Sequence, residues 1–187
     1  MPQTARIRPF SRHPRHPPEA RPAGVKFLQY RRPGLEENVA MSTSVKPIPE
    51  GYQAVIPYLV VNNAEQVIDF IKQTFNAQEI CRMMRPGGQV GHTELRIRDS
   101  VVMLGGASEE WKAMPTMLYV YVENVDDVYR RAVAAGGQSM KEPADQFYGD
   151  RTAAVVDMSG NQWWIATHKE EISPEEMDRR HKAARGA

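Results

Sequence analysis

His92 and Glu94 stand two apart in the run VGHTELRI. In an extended chain that spacing puts both side chains on one face. A carboxylate beside an imidazole raises its pKa and orients the ring, so the two could act as an acid/base pair. A two-residue metal site is also conceivable, though such a pair is more often only a solvated or dimer-facing polar strip. Arg151 is a second charged candidate. Its planar fork could grip an anionic ligand group, or pair structurally with Glu94 or Asp150. Cys81 is the single cysteine. Beside Ile80 it reads as a lone buried thiol, with nothing nearby in sequence to mark it as reactive. His168 closes the run QWWIATH and reads as an exposed strand end. The sequence has no P-loop, nucleophile elbow, dinucleotide glycine motif or CxxC pair.

The elements that must position these residues follow from apolar periodicity. Residues 54–61 read as a strand, with Pro57 marking an edge or an irregular position. Asn62 or Asn63 can cap a helix in which Val67, Ile68, Ile71 and Phe75 recur at helical spacing. Strands are expected over 79–84, 90–97 and 100–104, giving β-α-β-β-β. The order then recurs: a strand over 116–122, a helix from about 125 that ends at Gly136-Gly137, and a short strand over 139–142. A loop over 143–149 follows, and then two strands, 152–156 and 162–167, joined by the turn formers of 157–161. At an offset of 61, Tyr58-Leu-Val-Val61 lies over Tyr119-Val-Tyr-Val122, and Met103-Leu104 over Trp164-Ile165. With two extra residues in the second hairpin, His92 lies over Arg151. Trp163 and Trp164 must face opposite ways, one into the core and the other free to line a site.

Composition sets the outer limits. The first 40 residues carry eight Lys/Arg, three Glu and seven of the 14 prolines. They read either as a disordered, basic extension (about 1–48) or as residues upstream of a true start at Met41. The rest of the chain carries 16 Lys/Arg against 20 Asp/Glu, which gives no general attraction for nucleic acid. No apolar run approaches the ~20 residues that span a bilayer. One cysteine suits a reducing cytoplasm. Residues 171–187 read as a charged tail whose helix opens at Ser173-Pro174-Glu175-Glu176.

Two tandem β-α-β-β-β modules, about 51–106 and 115–170, resemble the vicinal oxygen chelate superfamily, which includes glyoxalase I, bleomycin resistance proteins, fosfomycin resistance enzymes and extradiol dioxygenases. The segments IPYLVVNNAEQVIDFIKQTFNAQE, GHTELRIRDSVVML and YGDRTAAVVDMSGNQWWIATHKE are similar to its PhnB-like, bleomycin-resistance-type branch. The resemblance implies an α+β fold in which paired modules curl around a cavity, and a homodimer. Metal-dependent members place one ligand, usually His or Glu, on the first and last strand of each module. The repeat maps those positions to Ile56, Met103, Met117 and Trp164, none of which is a suitable ligand, so neither a metal nor another cofactor is expected there. Tyr58, Met103, Met117, Tyr119, Tyr121, Arg151 and Trp164 would instead line a bowl for an aromatic or amphipathic small molecule. The alternative is an enzyme: a metal-independent lyase or isomerase using His92 and Glu94, or a metalloenzyme of glyoxalase or dioxygenase type.

Overall fold

A computed structural model describes residues 45–185; the basic N-terminal segment lies outside the described residues. The first module comprises β1 (Tyr58–Val61), α1 (Ala64–Phe75), β2 (Gln78–Met84), β3 (Val90–Ile97) and β4 (Ser100–Gly106). The second comprises β5 (Met117–Tyr121), α2 (Val125–Ala134), β6 (Gln138–Asp145), β7 (Asp150–Val156) and β8 (Gln162–His168). Each module forms one mixed sheet, ordered β1-β4-β3-β2 and β5-β8-β7-β6. In each, the first strand runs parallel to the last and the other pairs are antiparallel.

Local sequence accounts for most boundaries. Val67, Ile68, Phe70, Ile71 and Phe75 make the buried stripe of α1, and Asn76 ends the helix at φ 53°. The Asn124 side chain caps α2 by accepting from the Asp127 amide at 3.1 Å. Two strands differ from expectation. β1 begins only at Tyr58, after Pro57, which cannot donate to a ladder. β6 runs through Pro143 to Asp145 instead of stopping at 142, because it is the sheet's edge strand and an edge tolerates proline. The β7–β8 turn is built on Asp157. This buried carboxylate accepts from the amides of Ser159 and Asn161, the Asn161 side chain and the Trp163 indole at 2.8–3.0 Å.

Both sheets turn their helix-side faces to one core. Leu59, Leu95 and Leu104 from the first module share it with Ala153, Val155 and Ile165 from the second. α1 packs on α2, and Phe70 and Phe75 meet Trp163 with ring centroids 6.0 and 5.2 Å apart. Trp163 is therefore the core tryptophan. With helices and core filling the space between the sheets, the opposite sheet faces open outward. The expected bowl is two open faces within one chain, and neither encloses a cavity with the other. The final helix, α3 (Pro174–Arg185), is tied to the β6–β7 loop by His181 stacked on Phe147, at 5.4 Å between centroids. Among the described residues, no helix is long and apolar enough to cross a membrane.

Candidate functional site

The outward face of the first sheet is assembled by register. β2 and β3 pair Cys81 with Glu94 and Met83 with His92. β3 and β4 pair Glu94 with Met103, and β1 and β4 pair Met103 with Tyr58. The result is a continuous polar chain. The Tyr58 hydroxyl lies 3.2 Å from His92 Nδ1, and His92 Nε2 lies 3.3 Å from Glu94 Oε1. The Tyr52 hydroxyl donates to Glu94 Oε2. Burial pushes the Glu94 carboxyl up, but the hydrogen bonds from Tyr52 and His92 outweigh it and hold the group below its ordinary value. Cys81 adjoins the pair: ligand atoms of Cys81, His92 and Glu94 all lie within 4.8 Å of one another. Burial, followed by the neighbouring Glu94 charge, pushes the Cys81 thiol up to about 11.

The outward face of the second sheet is centred on Asp150. Its carboxylate is 4 % exposed. It accepts from Tyr121 at 2.8 Å and Tyr119 at 3.4 Å, and lies 2.8 Å from His168 Nδ1. The hydrogen bond to Asp150 holds the His168 imidazole above its ordinary pKa, helped by Glu171 at 3.3 Å. The same carboxylate raises the Tyr121 phenol, while burial and then Tyr148 raise Tyr119. Trp164 lies on this face opposite Tyr119, with the Lys141 ammonium 4.9 Å from its ring centroid. Such an imidazole–carboxylate dyad can hold or pass a proton, and the tyrosines offer both π faces and hydroxyls.

Tyr58, Met103, Met117, Tyr119, Tyr121 and Trp164 all reach these outward faces, as alternation requires. Arg151 does not. Its guanidinium forms two 2.8 Å bonds to Asp126, in the first turn of α2, and one of 3.2 Å to Asp145. The repeat had set Arg151 over His92. Hydrogen-bond register sets Glu94 against Met103 and Ala154 against Trp164, so the counterpart of His92 is Thr152. A slip of one residue reverses every face of a strand, and Asp150 occupies the side expected for Arg151. The parity was hard to read because Thr152, Ala153, Ala154 and Val155 are all small and all buried. The ion pair of Arg151 with Asp126 was a second signal that only the fold reveals. His168, expected as an exposed strand end, is exposed there and is also partnered by Asp150.

The family's metal positions fall on the paired first and last strands of each module. Tyr58 stands opposite Met103 and Tyr119 opposite Trp164 on the paired first and last strands, while Met117 faces Gln162 and Ile56 precedes β1. Two phenols, a thioether and an indole do not make a divalent site.

Comparison with known proteins agrees with this architecture. The fold resembles the crystal structure of TioX from Micromonospora sp. ML1, with a TM-score of 0.55 and 21% identity, over 62% of this chain and 98% of that one. A glyoxalase-related enzyme from Fulvimarina pelagi matches at a TM-score of 0.51 and 20% identity, over 62% and 87% of the respective chains. Uncharacterized protein Rv0887c of Mycobacterium tuberculosis is 31% identical over 153 residues, covering 76% of this chain and 86% of its own length. Residues 53–165 match the model of the Glyoxalase/Bleomycin resistance protein/Dioxygenase superfamily. With the duplicated module, its strand order and these matches in agreement, the chain belongs to that superfamily.

Proposed function

We propose that this protein binds an aromatic or amphipathic small molecule on its outward sheet faces, as a homodimer of the PhnB-like, bleomycin-resistance-type branch, without a divalent metal at the family's usual positions. The observation that carries this reading is exposure of apolar groups where a solvated sheet would be polar. Tyr58, Met83, Met117, Tyr119 and Tyr121 are 43–63 % exposed. Clusters of that kind mark ligand or protein contact surfaces. Pairing the first face of one copy with the second face of another would cover them and wall a cavity with tyrosine, methionine and Trp164.

Two measurements test this. Light scattering on the purified chain should give a dimer, and a thermal-shift screen of planar aromatic compounds should find stabilising ligands. Tyr119→Ala and Trp164→Ala should each abolish the shift while leaving the far-ultraviolet spectrum unchanged. A monomer that responds to no compound in such a screen refutes the reading.

A second reading, a lyase or isomerase using His92 and Glu94, is supported by their 3.3 Å contact. Loss of turnover with retained ligand binding in His92→Ala would favour it over plain binding.

A further inference from the structure

We propose that Cys81, His92 and Glu94 form a binding site for a borderline-soft divalent cation of the Zn²⁺ class, on strands β2 and β3, with ligands from neither the first nor the last strand of the module. It does not rest on the organic-ligand reading.

Three observations converge. The first is geometry. One thiol sulfur, one imidazole nitrogen and one carboxylate oxygen lie within 4.8 Å of one another. The antiparallel register sets Cys81 directly across from Glu94, so their proximity is fixed by backbone pairing. His92 Nε2 and Glu94 Oε1 are 3.3 Å apart, close to the roughly 3.3 Å edge of a tetrahedron with metal–ligand bonds of about 2.0 Å. The Cys81 sulfur, on the neighbouring strand, is the third donor of the group.

The second is the outer shell. The remaining polar atoms of His92 and Glu94 are each already held by a phenol. Tyr58 sits 3.2 Å from His92 Nδ1, and Tyr52 donates to Glu94 Oε2. Ligating imidazoles and carboxylates are generally oriented in this way. A bound cation would take the Nε2 lone pair, leaving Nδ1–H to donate to the Tyr58 oxygen.

The third is donor chemistry. Thiolate, imidazole and carboxylate together favour Zn²⁺ over Mg²⁺ or Ca²⁺, and three protein ligands leave a fourth position open. Binding replaces the Cys81 S–H bond by a sulfur–metal bond and releases that proton to water.

The test uses the untagged full chain, stripped with chelator, and Co²⁺ as the probe. Cys81 is the sole cysteine, so any thiolate-to-cobalt charge-transfer band in the near ultraviolet identifies it as a ligand without mutagenesis. The expected result is that band at one Co²⁺ per chain, displaced by Zn²⁺. Calorimetric Zn²⁺ affinity should fall at least tenfold in Glu94→Gln and in His92→Ala, and about tenfold in Tyr58→Phe, the range for outer-shell partners. Absence of the band in wild-type protein overturns the proposal. So does stoichiometric binding that survives Cys81→Ser and Glu94→Gln, or that disappears only in His168→Ala.

Discussion

Replacing Asp157 by alanine should be among the most damaging single changes to the fold. The carboxylate is 4 % exposed and accepts four hydrogen bonds of 2.8–3.0 Å. The Ser159 amide, at the partly exposed turn, can be rehydrated after the substitution. The Asn161 amide, the Asn161 side chain and the Trp163 indole belong to residues of 0 % exposure and cannot. A buried donor left without a partner costs about 1–3 kcal/mol. Three of them, with partial relaxation of the turn, come to about 3–5 kcal/mol, the range seen when a buried charged partner is removed. Against a total of about 5–15 kcal/mol, this is a large share of the stability. Asp157→Asn separates the contributions. It keeps one oxygen for the two backbone amides but turns an NH₂ toward the Asn161 side chain and the Trp163 indole, so about 2–3 kcal/mol should go. Urea unfolding followed by tryptophan fluorescence and circular dichroism measures both. A loss below about 1.5 kcal/mol for Asp157→Ala would show that water replaces the carboxylate, and the argument from stranded donors would fail.

The remaining predictions concern the outward faces and their supports. His168 should titrate by proton NMR above its ordinary 6.5, and Asp150→Asn should lower that midpoint. Because the folded value is raised, its contribution to stability is full below 6.5 and is lost as pH rises through the folded midpoint. Arg151→Ala should leave affinity for any ligand of the second face within about twofold, since the guanidinium is turned toward Asp126, whereas Tyr121→Ala should weaken it by tenfold or more, read by calorimetry. Gly149 sits at φ 92°, and an added Cβ would come 2.6 Å from the Glu170 carbonyl oxygen, so Gly149→Ala should cost about 2 kcal/mol or more in chemical denaturation. Cys81 in metal-free protein, its thiol pushed from 9.0 to about 11, should alkylate roughly tenfold or more slowly than a free thiol, because scarce thiolate outweighs its greater nucleophilicity.

The duplicated order of elements was legible in the sequence because periodicity and turn residues report it directly. The 61-residue offset between Tyr58 and Tyr119, and between Met103 and Trp164, reappears as equivalent strand pairings. Trp163 and Trp164 separate as alternation demands. The site was legible only in part. His92 and Glu94 share a face because two-residue spacing fixes it, whatever the tertiary fold. Cys81 joins them through pairing across the β2–β3 hairpin, where bulges at Glu79/Cys81 and Met83/Met84 shift the register. Spacing along one strand carries no information about that. Asp150 was hidden by the uniform small residues that follow it, and its partners Tyr119, Tyr121 and His168 come from two other strands.

The seam at Trp163 also governs how the molecule comes apart. Its ring is packed by Phe70 and Phe75 of the other module, and the connection between modules is tied to both of them. The Met114 amide donates to Val60 and the Thr116 amide to Asn161. Neither half retains a closed core without the other, so the duplicated modules form a single cooperative folding unit and residues 45–185 should melt in one transition. The same seam, presented by an identical chain, is an equally good partner for a half that has opened. Refolding at high concentration should therefore exchange modules between copies, a hazard inherent in a chain built from two similar halves.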